Sequence, residues 1–599
     1  MNNSAKKAFL SGNAAIARGA WEAGCKFAAA YPGTPSTEIM EFCGTYDEID
    51  AQWAVNEKTA METVIGACFG GTRAICSQKH VGLNVAADPF FTASYIGVNA
   101  GLVIVTADDP GMHSSQNEQD NRYYAMMSKM PLLEPSDSQE AKDMTIEAFE
   151  ISERFNTPVL IRTTTRVSHS ETIVQLGERR EQPEKEFVPD MNRYCTLPNI
   201  SRQMHVKVEK RALELEKYAA EESKFNYITM GDPKIGIIAS GVAYRHAKEA
   251  FPQASFLKLG MSWPYPNELI KRFASKVQKV IVIEEGDPFI EKAVRTLGIN
   301  CVGKNLVPLC GELNPDILSE VLSEVVSPHL PVKTGIKHTE LASEVPVPGR
   351  PPVLCPGCPH RGIFYVLSKL KCIVTGDIGC YSLGAYAPHN AMHSIVCMGA
   401  SITTAMGLSK AMKDKIKGKL VAVIGESTFM HSGMTSLLDT VYNKGNHLTI
   451  ILDNSITAMT GHQPNPASGK TLKGEPAKSL DFVKVCHALG ISKVSTVDPF
   501  DLKAVETLVK ARLQDDEPSV IIAQRPCYLL KDYKPKIRKV TIDIDKCVKC
   551  GMCLKVGCPA VEVDPVDKKT RLNMALCVHC GLCAQMCKPG AITQEQEEN

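Results

Sequence analysis

The run Cys547-Val-Lys-Cys-Gly-Met-Cys returns thirty positions later as Cys577-Val-His-Cys-Gly-Leu-Cys, and no other feature constrains the chain as tightly. In full, the spacing is C-x2-C-x2-C-x4-C-P and then C-x2-C-x2-C-x3-C, with eight cysteines between Cys547 and Cys587. Each copy is too short to build its own core, so the pair reads as a metal-stapled module with pseudo-twofold symmetry. Zinc knuckles would take their thiolates as C-x2-C pairs. Runs of three plus one suit thiolates wrapped around an iron–sulfur cubane. The 22 cysteines therefore read as reduced ligands and thiols rather than disulfides. The N-terminus shows no apolar stretch of signal-peptide length and no run approaches membrane-spanning length, so a soluble cytoplasmic protein is expected. With 67 basic and 66 acidic residues there is no large field of one sign, so neither nucleic acid nor a membrane is the expected partner.

At 599 residues the chain must divide into several domains. Residues 1–175 alternate strand-like apolar runs with amphipathic segments, the pattern of a doubly wound α/β domain. Residues 176–228 are charge-rich and read as a solvated helical linker. A second α/β unit with a structural task spans 229–330. The prolines at 346, 348, 351, 352, 356 and 359 stiffen the entry to the next domain, placing a linker at 331–352. A third α/β domain covers 353–535, and the cysteine module covers 538–599.

In that third domain two apolar runs, Lys419-Leu-Val-Ala-Val-Ile-Gly and Leu448-Thr-Ile-Ile-Leu, stop at Glu426 and Asn454. As neighbouring parallel strands they would set both oxygens at the carboxyl edge of the sheet, where α/β folds bind ligands. A helix expected over 432–444 would point its N-terminus into the same crevice, which favours phosphate. Two side-chain oxygens and a backbone carbonyl leave positions on Mg²⁺ for a diphosphate and water. A strand-edge acid beside an Asx turn would give the same pattern. In the first domain Glu57 opens a small, apolar helix, where an ordinary first-turn glutamate complements the helix dipole. Thr34 precedes Pro35 as an expected N-cap with proline at the first helical position, a place able to receive an anion. Cys355, Cys358, Cys380 and Cys527 form a looser set, either a third cluster or buried free thiols.

The C-terminal segment resembles a bacterial two-cluster ferredoxin. That likeness implies that the fourth cysteine of each run crosses over: Cys547, Cys550, Cys553 and Cys587 on one [4Fe-4S] cluster, Cys577, Cys580, Cys583 and Cys558 on the other. Two departures stand out, the extra Gly557 before Cys558 and Lys588 between Cys587 and Pro589. Gly425-Glu-Ser followed by Asp453-Asn454 resembles the thiamine diphosphate motif, which implies Mg²⁺ ligands at Glu426, Asn454 and the Ile456 carbonyl. Gly425, Ser427 and Gly379 complete the implied cofactor-binding set. The motif usually carries Asp where this chain has Glu426.

Trp53-Ala-Val-Asn-Glu-Lys-Thr and Tyr31-Pro-Gly-Thr-Pro-Ser-Thr-Glu-Ile resemble the pyrimidine domain of the 2-oxoacid:ferredoxin oxidoreductases. The likeness gives Glu57 the task of activating the cofactor and Thr34 that of binding the substrate carboxylate. It extends along nearly the whole chain, with 229–330 matching a transketolase C-terminal-like domain. Two-subunit members use four cysteines like Cys355, Cys358, Cys380 and Cys527 for a third cluster. The implied reaction converts a 2-oxo acid, here indolepyruvate or another arylpyruvate, with CoA into acyl-CoA and CO₂ while reducing ferredoxin. Residues 109–122 would line the substrate end, with His113 and Asp120 as candidates. A small β subunit, in a heterotetramer, is the expected partner. The rivals are a non-redox thiamine decarboxylase or synthase and an electron-transfer subunit without catalysis.

Overall fold

A computed structural model describes residues 6–183, 185–332, 351–535 and 538–595. The chain forms two compact units, Met1–Pro346 and Val347–Asn599. Most of the expected proline-rich linker lies outside the described residues.

The first unit is built on a seven-stranded sheet ordered Met261–Trp263, Leu132–Leu133, Val159–Thr164, Leu102–Asp108, Ala74–Lys79, Phe27–Ala30, Asp50–Trp53. All its pairings are parallel except that of Met261–Trp263. The three central strands are buried at every position, and each opens on an apolar run without alternation before polar residues at its carboxyl end. A second, five-stranded sheet is ordered Cys301–Val302, Lys279–Ile283, Asp232–Ala239, Ala254–Leu259, Asn226–Thr229.

The two sheets share sequence in a way the expected boundary at 229 did not allow for. Asn226–Thr229 already belongs to the second sheet, while Met261–Trp263 leaves it to cover the short Leu132–Leu133 strand of the first. Both leucines are fully buried, and an apolar edge of this kind needs a pairing partner. The solvated helical linker is also corrected. Pro198–Glu221 is a helix whose Ile200, Met204, Val208, Arg211, Leu215 and Tyr218 form a buried stripe. Arg211 Nη2 donates to Ser94 O at 2.7 Å and Nη1 to Asn156 O at 2.9 Å, fastening that helix to the first domain.

The second unit holds an all-parallel sheet ordered Ile373–Thr375, Leu420–Gly425, Leu448–Asp453, Ser519–Gln524, Lys493–Val497. Leu420–Gly425 and Leu448–Asp453 are neighbours, with Gly425 opposite Leu452. The helix expected over 432–444 begins earlier. Its first turn is Glu426–Thr428, followed by a π-helical turn at Phe429–Gly433 and by Met434–Tyr442. The chain passes from strand to helix without a loop, and Gly433 packs on Ile424 and Phe429 inside the wide turn. The cysteine module follows as two short ladders, Val540–Ile542 with Ile592–Gln594 and Val561–Val563 with Thr570–Leu572.

Candidate cofactor and cluster sites

Glu426 and Asn454 emerge from adjacent strand ends, and both are buried. Asn465 Nδ2 donates to Glu426 Oε1 at 3.1 Å and to Thr457 Oγ1 at 3.2 Å, and Thr457 reaches Ser427 Oγ at 2.9 Å. Ser455 takes the left-handed conformation, φ 64°, turning the chain so that Ile456 N meets Asn454 Oδ1 at 3.2 Å. Burial, reinforced by Asp453, raises Glu426 to about 8. Neither acid has a basic side-chain partner among the described residues. Two buried carboxyl groups without a counter-charge, beside amide and carbonyl oxygens, form the hard-oxygen donor set that suits a divalent cation. The residues thus fit a metal-bound diphosphate.

Gly425 and Gly379 serve local packing. A Cβ on either would strike the Tyr381 ring, at 2.6 and 2.4 Å. Tyr381 in turn donates to Ile378 O at 2.9 Å and contacts Thr428 Oγ1 at 3.2 Å, so one buried ring spaces the two glycine turns. Asp377, which sequence reasoning passed over, accepts from Gly399 N, Ser401 N and Ile378 N at 2.9, 3.0 and 2.8 Å. It ties the start of the helix Ala400–Met412 to the end of Ile373–Thr375. Only its place after an apolar strand could have signalled it. Asn465 and Thr457 were missed for a similar reason, since Asn465 reaches Glu426, and Thr457 reaches Ser427, from an irregular loop.

Cys355, Cys358, Cys380 and Cys527 come together. Burial raises Cys358 to about 12 and Cys380 to about 11, and the neighbouring thiols push the same way. Cys527 N donates to Asn454 O at 2.9 Å, so this thiol set adjoins the Glu426 and Asn454 oxygens. In the C-terminal module one small cavity is lined by Cys558, Cys577, Cys580 and Cys583. A second is lined by Cys547, Cys550, Cys553 and Cys587. The grouping crosses the repeat, each fourth cysteine joining the other run. Four thiolates facing one space, drawn three from one run and one from the other, are an arrangement suited to a cluster. Ile592 N donates to Cys587 Sγ at 3.2 Å, and backbone N–H groups of Thr570 and Lys549 hold Cys547 below the usual thiol range.

In the first unit, Glu57 opens the helix Glu57–Phe69, capped by Asn56, whose side chain accepts from Thr59 N at 2.8 Å. Its buried carboxylate lies against Gly82, where a Cβ would come within 2.6 Å of Oε1. Thr34 is not an N-cap. Ser36 closes a turn onto Gly33 O at 2.8 Å, and the helix begins only at Thr37. Thr34 and Glu57 nevertheless both leave the carboxyl ends of parallel strands. Lys79 leaves another and was missed. Burial lowers it to about 8, and its Nζ donates to Ser114 O at 2.6 Å. His80 contacts Asn117 O at 3.1 Å, so the 109–122 loop folds back over these strand ends. Within that loop His113 is half exposed and meets Glu312 at 3.1 Å. Asp120 is corrected: its carboxylate is committed to the buried Arg122 guanidinium and to Asp287 N, which makes it structural.

Three families match separate stretches. Residues 18–230 match the pyruvate flavodoxin/ferredoxin oxidoreductase thiamine diphosphate-binding domain, 377–523 the C-terminal binding domain of thiamine pyrophosphate enzymes, and 570–593 a 4Fe-4S binding domain. The chain is 39% identical to the indolepyruvate oxidoreductase subunit IorA of Pyrococcus abyssi (strain GE5 / Orsay), covering 97% of this chain and 96% of that one. It is 40% identical to the protein of the same name from Thermococcus kodakarensis, over 97% and 96% of the two chains. For that of Archaeoglobus fulgidus the values are 38%, 93% and 93%.

Proposed function

The chain belongs to the family of indolepyruvate oxidoreductase IorA subunits, and on that footing we propose that it oxidises indolepyruvate and other arylpyruvates. In the balanced reaction one arylpyruvate anion, one CoA and two oxidised ferredoxins give one arylacetyl-CoA, one CO₂, two reduced ferredoxins and one proton. Bound thiamine diphosphate supplies the carbanion-stabilising chemistry that decarboxylation requires.

The residues divide the remaining work. Glu426, Asn454 and the Ile456 carbonyl hold Mg²⁺ and, through it, the diphosphate. Gly425, Ser427 and Gly379 shape the turns around it. Glu57 holds a proton at the aminopyrimidine ring nitrogen, and Thr34 receives the substrate carboxylate. The C-terminal cysteines would hold two clusters, and Cys355, Cys358, Cys380 and Cys527 a third, groups that would supply one-electron transfer. A small β subunit completes a heterotetramer in the cytoplasm, and ferredoxin is the acceptor.

The likeness to curated IorA subunits along almost the whole length of both chains carries this reading. The test is to isolate the complex without oxygen and supply indolepyruvate, CoA and oxidised ferredoxin. Ferredoxin reduction and arylacetyl-CoA formation, both lost when CoA is omitted, are expected. Release of a free aldehyde with no ferredoxin reduction would overturn it in favour of a non-redox decarboxylase.

A further inference from the structure

Arg361, in the first turn of the helix His360–Lys369, is 1% exposed, and no carboxylate pairs with it among the described residues. Its side-chain hydrogen bonds among the described residues go to backbone carbonyls from two places far apart in sequence. Nε donates to Cys355 O at 3.0 Å and Nη2 to Leu354 O, while Nη1 donates to Val556 O at 3.3 Å and to Gly557 O. A buried guanidinium held only by carbonyls is costly unless negative charge stands nearby. The groups that face it are Cys355 and Cys358 on one side and Cys558 and Cys580 on the other.

The same junction accounts for the extra residue in the first cysteine run. Gly557 is left-handed, φ 68°, and presents its carbonyl to Arg361. A Cβ there would meet Pro388 Cδ at 2.9 Å and His389 Nε2 at 3.1 Å. On the other face Gly357, φ 69°, leaves room for Val578, whose Cγ2 would be 2.4 Å from an added Cβ. Two glycines thus let the Cys355-Pro-Gly-Cys loop and the cysteine module meet without intervening side chains, and Arg361 bridges them. Arg361 also lines the cavity of Cys558, Cys577, Cys580 and Cys583.

We propose that Arg361 is a positioning residue for electron transfer, a buried cation that clamps the Cys355 loop to the Gly557 turn and raises the potential of the cluster on Cys558, Cys577, Cys580 and Cys583. The inference rests on the cluster reading above. Each four-thiolate cluster is anionic, and reduction adds one more negative charge, so a fixed positive charge in a dry junction favours the reduced form. One electron enters this cluster from the thiamine side and one leaves toward ferredoxin, with no bond made or broken.

The experiment compares the anaerobic full complex with its Arg361→Gln, Arg361→Lys and Gly557→Ala variants, by iron and sulfide per chain, EPR-monitored redox titration and amide hydrogen exchange over residues 552–558. At the wild-type midpoint, Arg361→Gln is expected to lower the reduced-to-oxidised ratio of one cluster about tenfold or more at undiminished iron. Arg361→Lys is expected to keep the wild-type ratio, because the charge remains, yet to speed exchange at 552–558, because the fork is lost. Gly557→Ala should speed that exchange as well. A fully loaded Gln variant with the wild-type potential would overturn the proposal. Should the Gln chain fail to assemble, the Lys chain decides, and unchanged exchange there overturns the clamp. Wild-type chain lacking iron would instead overturn the cluster reading itself.

Discussion

Asn465 Nδ2 donates to Glu426 Oε1 at 3.1 Å inside a pocket that holds a second carboxyl group, Asp453, and no basic side chain among the described residues. The amide orients a carboxyl group that burial raises to about 8 and that a bound divalent cation would hold ionised. Replacing Asn465 by Ala is expected to weaken Mg²⁺–thiamine diphosphate binding by about 10–100-fold, as loss of a hydrogen-bonding partner behind a metal ligand does. Glu426→Gln should weaken it further. Calorimetric titration of the cofactor-free chain with Mg²⁺ and thiamine diphosphate reads both effects, and unaltered affinity in Glu426→Gln would contradict the assignment.

Glu57 and Gly82 form a second pair, because Gly82 lacks the Cβ that would press within 2.6 Å of the carboxylate. Glu57→Gln keeps the shape and removes the charge. It is expected to retain thiamine diphosphate while turnover falls by about 10²–10⁴-fold, the span of a lost proton-transfer group. Gly82→Ala should reduce turnover in the same direction by displacing Glu57. Rates measured beside extracted thiamine diphosphate separate loss of chemistry from loss of cofactor.

The crossed lining of the two cysteine cavities has a quantitative signature. Pairing Cys558→Ala with Cys577→Ala should remove one cluster and leave the other. Pairing Cys558→Ala with Cys547→Ala, two cysteines of the same run, should remove both. Iron per chain and the EPR signal of the reduced protein distinguish crossed from uncrossed ligation.

His447 is buried with neither ring nitrogen hydrogen-bonded among the described residues, and burial lowers it to about 4 from the ordinary 6.5. A histidine depressed in this way stabilises the fold above its unfolded value, and that stability is lost as pH falls through the folded one. The loss therefore begins near pH 6.5, grows toward pH 4, and amounts to about 3 kcal/mol in all. Denaturant unfolding of the full chain across this range should show a smaller acid-side decline in His447→Leu than in the parent.

The strand pair ending at Glu426 and Asn454 was legible because fully buried parallel strands are written as unbroken apolar runs that stop at the ligand edge. The Glu57 helix was legible because Asn56 and Glu57 announce its start. Thr34 misled because Thr34, Ser36 and Thr37 all suit a helix start, and the hydrogen bond from Ser36 to Gly33 decides among them only in three dimensions. The Pro198–Glu221 helix hid its buried face because charged side chains interrupt the stripe and Arg211 itself belongs to it. Asp120 looked available because its partners Arg122 and Asp287 are claimed by a fold in which the second sheet packs on the first. Arg361 was invisible as a bridge, since its carbonyl partners at Val556 and Gly557 lie almost 200 positions away.

On the proposed function, thiamine chemistry and iron–sulfur clusters are coupled in this one chain. The most direct test of that coupling is to mix the anaerobic complex, loaded with thiamine diphosphate and Mg²⁺, with indolepyruvate and follow visible absorption of the clusters without ferredoxin. Substrate-dependent bleaching is expected, absent in Glu57→Gln, with the colour returning when oxidised ferredoxin is added. Clusters that keep their colour at full thiamine occupancy, with indolepyruvate consumed, would contradict it.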